Sequence, residues 1–208
     1  MKGVIAGLAP DARVVDLCHE VPAQDVSTAA LHLRAAVPYF PEGTVFVCVV
    51  DPGVGTKRRI LLAKTKRHYF LAPDNGLLSW IPERVLEWKS VKYKDPPSTT
   101  FHGRDVFAPL AAKCPDIEGK AISDPILRPW PKDRIVGFDR FGNALTSLKS
   151  AKTVAFGRYR IPVVRTYSDV AEGEPLAIVG SSGLIELSVR NGDFARRFSA
   201  KTGDKVHA

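Results

Sequence analysis

Prolines at positions 115, 125, 129 and 131 part the chain into two stretches whose apolar residues repeat in different ways, and no other feature limits the fold as much. Upstream, apolar strands alternate with helical periodicity. ARVVDL (12–17) reads as a strand. Asp25 then offers a helix N-cap, and Val26, Ala29, Ala30, Leu33 and Val37 follow at helical spacing until Pro38 and Pro41 end the run. TVFVCVV (44–50) is β-branched and apolar on both faces, which predicts a central strand covered by helices. RILLAKT, HYFLAPD and VLEWKSVKY predict further strands, GLLSWI a short helix after a turn, and DVFAPLAAK (105–113) a helix. This alternation predicts an α/β sheet, at least partly parallel, over residues 1–122.

Residues 123–132 read as a Pro-rich linker, and residues 133–208 as a second, β-rich domain. RIVGFD, ALTSL, TVAFGRYRIPVV, PLAIVG, LIELSVR and KVHA are short strand candidates separated by Gly, Asn and Asp turns, and only NGDFARRF (191–198) offers helix. That pattern predicts a small antiparallel barrel or sandwich.

Composition excludes several function classes. The 208 residues can bury a core without disulfide or metal staples. The longest apolar run stops at Asp51 and Pro52, short of a membrane span, and MKGVIAGLAP is too short for a signal peptide, so a cytoplasmic protein without membrane contact is expected. Cys18, Cys48 and Cys114 are odd in number and share no metal-ligand spacing. The net charge of +8 comes from scattered Lys and Arg without zinc-finger spacing or an RNA-binding aromatic signature, so a solvated basic face is expected and no nucleic-acid partner.

Five motifs could carry chemistry. Asp51-Pro52-Gly53-Val54-Gly55-Thr56 follows the predicted central strand, where open α/β sheets place ligands; it lacks the Walker lysine and the dinucleotide fingerprint, and a structural turn is an equal reading. Phe101-His102-Gly103-Arg104-Asp105 packs an imidazole, a guanidinium and a carboxylate beside a glycine; alternatively Asp105 caps the helix and pairs with Arg104. Pro73-Asp74-Asn75-Gly76 is a strong turn sequence. Asp139-Arg140-Phe141-Gly142-Asn143 lies at a strand end. Gly180-Ser181-Ser182-Gly183 could form a backbone concavity suited to a carboxylate, with Glu186 opposing an ammonium; each of these two is also an ordinary hairpin turn.

Together VVDPGVGT, APDNGLLS, TFHGRDVFAP, DRFGN and GSSGLIELSV, with MKGVI, PDARVVDLCHEVPAQD and PYFPEGTV, resemble the S-adenosyl-L-methionine hydrolases related to fluorinase and chlorinase, in order and from residue 1 to about 205. The resemblance implies an N-terminal α/β domain, a small β-barrel-like C-terminal domain, and a homotrimer whose sites lie between one subunit's N-terminal domain and its neighbour's C-terminal domain. It puts the family's Asp, Arg and His at Asp51, Arg58 and His102, and its substrate contacts at Asp51, Asp139, Asn143, Ser181 and Glu186. It implies no metal and no cofactor. Family members open with a strand ending in Thr-Asp-Phe-Gly, whose Asp holds the ribose hydroxyls. This sequence starts at Met1, inside the expected first helix, so unpaired backbone is expected at the sheet.

The reaction so implied is attack of water on the ribose 5′ carbon of S-adenosyl-L-methionine, giving adenosine and L-methionine. A non-catalytic adenosine or S-adenosyl-L-methionine binding protein is the alternative that the missing segment motivates. A halide-using adenosyl transferase is the other; it needs a halide pocket and a long loop for which this compact chain leaves no obvious room.

Overall fold

The structure is a computed structural model and describes residues 1–93 and 98–208. It divides into two compact units, Met1–Arg128 and Pro129–Ala208.

The first unit is built on a five-stranded sheet. Its strands are β1 (Val45–Val47), β2 (Ile60–Lys64), β3 (Tyr69–Pro73), β4 (Glu87–Val91) and β5 (Gly119–Ala121), in the order β1-β3-β2-β4-β5. β1 runs parallel to β3 and the other pairs are antiparallel. The pleat sorts apolar residues onto two faces. Leu61, Ala63, Phe70 and Ala72 join Val26, Ala29 and Leu33 of helix α2 (Val26–Ala36) in one core. Ile60, Leu62 and Leu71 join Val106, Phe107 and Leu110, around helix α3 (Ala108–Lys113), in the other. Asp25 caps α2, its carboxylate accepting from Thr28 N at 2.9 Å, as the sequence predicts. Helix α1 (Lys2–Leu8) packs on α3.

Two expectations fail here. ARVVDL forms no strand, and Val14, Val15 and Leu17 are exposed. TVFVCVV supplies only the three-residue β1, at the edge of the sheet and not its centre. The failures share a cause: β-propensity makes a strand only where a neighbour completes the ladder. The described residues give β1 a partner on the β3 side alone.

The expected linker is fixed to the first unit as far as Arg128. Asp124 receives Arg59 Nη1 at 2.8 Å, Ile126 N donates to Asp74 at 2.7 Å, and Arg128 N donates to Ser79 at 2.8 Å.

The second unit is a curled six-stranded sheet of β6 (Ile135–Phe138), β7 (Ala144–Thr146), β8 (Thr153–Phe156), β9 (Tyr159–Val164), β10 (Pro175–Val179) and β11 (Ile185–Val189), ordered β6-β7-β11-β10-β9-β8. All neighbouring pairs are antiparallel except β9 with β10. KVHA is not a full strand, yet it closes the curl. Lys205 bridges Arg134 beside β6, and His207 bridges Ala155 on β8. Inward residues of all six strands meet Phe194 of helix α4 (Phe194–Phe198) in one core. Among the described residues no helix is long and apolar enough to cross a membrane.

Candidate functional site

The loop after β1 carries Asp51, and its turns bring the chain back within seven residues. Val54 N donates to Asp51 O at 3.2 Å and Thr56 N to Gly53 O at 3.1 Å, so Arg58 points at the carboxylate it follows. Gly55 adopts φ +78°, and a Cβ there would stand 3.0 Å from the Thr99 carbonyl oxygen. The loop therefore packs against the segment leading into His102. PDNG braces both sides of this loop. Asn75 Nδ2 donates to Val50 O at 2.9 Å, while buried Asp74 accepts from Arg59 Nε at 2.7 Å. The turn sequence thus has a second use, which its composition did not reveal.

His102 lies at the start of a π-helical turn, Gly103–Phe107, that runs into α3. Such turns re-aim side chains and recur at functional sites. Here Asp51, Arg58 and His102 converge. Arg58 Nε lies 3.0 and 2.9 Å from the two Asp51 oxygens, and Nη2 also donates to Asp51. Nη2 lies 2.8 Å from His102 Nδ1. The Asp51 and Arg58 side chains are 6% and 9% exposed and His102 is 4% exposed, so the trio is buried. A guanidinium only donates, so Nδ1 accepts and the ring proton sits on Nε2. Burial opposes the Arg58 charge, but hydrogen bonding and charge attraction from Asp51, joined by Tyr93, hold its pKa above the ordinary arginine value. Phe107 lies under the guanidinium, 5.8 Å from ring centroid to Cζ. Arg58 Nη1 is buried and has no hydrogen-bond partner among the described residues.

The rest of FHGRD stays out of this centre. Arg104 pairs with its neighbour Asp105 through contacts of 2.6 and 3.0 Å, which hold the Asp105 carboxyl below its usual range. Two of the three thiols, Cys48 and Cys114, are held protonated and are poor nucleophiles. Burial pushes Cys48 up to about 12, and burial with the nearby Asp116 pushes Cys114 up to about 11. No group of three or more His, Cys, Asp or Glu among the described residues is placed to hold a metal ion.

A second cluster forms in the second unit. The Asp139 carboxylate accepts from Phe141 N (2.8 Å), Asn143 N (2.9 Å) and Asn143 Nδ2 (2.8 Å), which fixes Asn143 in a buried position. Register places Glu186 opposite Leu145, one strand from that turn. Burial, and secondarily the charge of Asp139, raises the Glu186 pKa. A Cβ at Gly180 would overlap the Glu186 carboxylate, so glycine there permits this close approach. Ser181 is exposed in the β10–β11 turn, which Gly180 N closes onto Leu184 O at 2.9 Å. Its neighbour Ser182 has a buried Oγ with no partner among the described residues. Ser182 falls in the Gly-Ser-Ser-Gly turn that the sequence singles out, whereas Tyr93, whose ring lies 6.1 Å from that of His102, belongs to none of the five motifs.

Known proteins match this chain along its whole length. The model of the SAM hydroxide adenosyltransferase N-terminal domain matches residues 1–122, and that of the C-terminal domain residues 133–207. A Thermus thermophilus protein named (R)-S-adenosyl-L-methionine hydrolase is 40% identical, over 99% of this chain and 91% of its own. The fluorinase of Actinopolyspora mzabensis is 25% identical over 99% and 90%. A crystal structure of an uncharacterised conserved protein from Thermotoga maritima superposes with a TM-score of 0.90 at 34% identity, covering 99% of this chain and 92% of that one. The chain belongs to the SAM hydroxide adenosyltransferase family.

Proposed function

We propose that this protein is an enzyme that hydrolyses S-adenosyl-L-methionine, its (R)-sulfonium epimer included, to adenosine and L-methionine. The observation that carries the reading is the convergence of Asp51, Arg58 and His102 in one buried cluster. The bond that forms is water oxygen to the ribose 5′ carbon. The bond that breaks is carbon to sulfur, whose electron pair stays on sulfur as the sulfonium becomes a neutral thioether. Departure therefore needs no acid, and the reaction as balanced needs no electron donor. One proton must leave the water. Asp51 supplies the acceptor, while the Nε2–H of His102 and the Arg58 guanidinium orient the oxygen and stabilise developing hydroxide.

The second cluster fits the substrate's amino-acid end. Glu186, whose ionisation burial disfavours, gains most from an ammonium partner. Asn143 and Ser181 are assigned to adenosine and methionine contacts, with Asp139 positioning Asn143. The two clusters belong to different units of the chain. The reading accordingly takes in a homotrimer with sites between subunits, a cytoplasmic location, and no metal, nucleic-acid or membrane partner.

Product analysis with and without halide tests it. Adenosine in both conditions is expected. A 5′-halogenated adenosine would make the protein a halide-using transferase, and bound but unchanged substrate would make it a binding protein.

A further inference from the structure

Asn143 keeps its place through two layers of contact. The inner one is Asp139, whose carboxylate accepts from Asn143 N at 2.9 Å and from Nδ2 at 2.8 Å. A planar carboxamide tied through Nδ2 presents its Oδ1 in one direction, so that oxygen moves with the 139–143 turn. The turn is exposed at Arg140 and Phe141. Beyond the two strands that it joins, it is held by the first turn of α4. Ala195 N donates to Gly142 O at 3.0 Å. An N–H at this point of a helix has no acceptor inside the helix and is available to a partner outside it.

Asp193, the N-cap of α4, meets the same turn twice. Its Oδ1 accepts from Arg196 N at 2.8 Å, which closes the first turn of the helix and sets the direction of the Ala195 N–H. The carboxylate also lies directly against Gly142, where an added Cβ would overlap it; Gly142 at φ +82° suits both the turn and this approach. Phe194, fully buried, pins that first turn to the core of the second unit. Without the cap, the first N–H groups of the helix turn to water and the hold on Gly142 loosens. We propose that Asp193 is a positioning residue for the substrate site: it caps α4 so that the Ala195 N–H holds the Gly142 carbonyl, which fixes where Asn143 meets the substrate. The inference rests on the hydrolase reading, which makes Asn143 a substrate contact.

Asp193→Ala removes the cap and the contact with Gly142, whereas Asp193→Asn keeps a side chain of the same shape that caps equally well. With S-adenosyl-L-methionine as substrate, at a temperature where both variants are folded, the Ala variant is expected to raise KM about fivefold, the factor that the loss of one helix cap carries, with kcat little changed. The Asn variant should return KM to the wild-type value. An unchanged KM in the Ala variant, whatever its melting temperature or kcat, overturns the proposal and leaves Asp193 a merely structural cap. A KM raised equally in Ala and Asn overturns it too, because the cap is intact in Asn. If Asp193→Ala does not fold, Asp193→Gly, which caps at little cost in stability, takes its place with the same expected rise in KM. If the unaltered protein releases no adenosine, the hydrolase reading fails by itself. The Asn143 side-chain amide resonances then decide on Asp193 separately: displacement in the Ala variant with return in the Asn variant keeps the positioning role, and any other pattern removes it.

Discussion

Glu186 and Arg58 are ionisable groups held under opposite conditions. Arg58 is buried with its counter-charge, and Glu186 is half-buried beside a like charge on Asp139. The raised carboxyl of Glu186 means that the folded protein keeps this proton at a pH where the unfolded chain has released it. Its contribution is full below the unfolded glutamate value of about 4.3 and declines as pH rises through the native one. Glu186→Gln cannot titrate. Thermal denaturation from pH 4 upward should therefore show the wild type losing stability relative to this variant, with the gap levelling off above the native pKa; parallel curves would refute the assignment. At this scale the sequence was informative where a side chain came with a motif. His102, Asp51 and Asn143 stand in recognisable strings, whereas Tyr93 follows a strand without pattern and is placed by long-range packing alone.

Elements with a period were legible, and those that depended on partners were not. The α2 helix carries its own cap and stripe, and β2 and β3 sort their faces by alternation. ARVVDL has equal strand propensity, yet pairing decides its state and leaves Val14, Val15 and Leu17 exposed. The sequence predicts a helix over residues 105–113, and nothing in the residue types marks its first turn as the π-helical Gly103–Phe107 that precedes α3. The loop between β1 and β2 depends on Gly55, held at φ +78° with its missing Cβ facing the Thr99 carbonyl at 3.0 Å. Gly55→Ala should cost about 1–2 kcal/mol from the left-handed backbone alone, a fall in melting temperature of about 2–8 °C. It should also lower turnover by shifting Asp51 against His102. An unchanged melting temperature would show that the loop does not rely on this turn.

For the molecule as a whole, the change of pattern across the prolines marked where one sheet ends and another begins, though residues 124–128 belong to the first unit. KVHA is legible as a strand candidate, but that its residues bridge to Arg134 beside β6 and to Ala155 on β8 was hidden, because pairing partners so far apart in sequence leave no local pattern. The division of candidate residues between units gives the trimer proposal its test: co-expression of His102→Ala with Asn143→Ala. Each variant alone should be inactive. In random mixed trimers about one interface in four pairs two intact halves, so about a quarter of wild-type activity is expected. No recovery in trimers shown to contain both variants, or a monomer at working concentration, would contradict it. The central claim is narrower: water attacks the ribose 5′ carbon. Hydrolysis in 18O-labelled water, with mass spectrometry of the nucleoside, reads that bond directly. One 18O in the 5′ hydroxyl of adenosine, with unlabelled methionine, is the predicted result; unlabelled adenosine, or a product other than adenosine, would contradict the account.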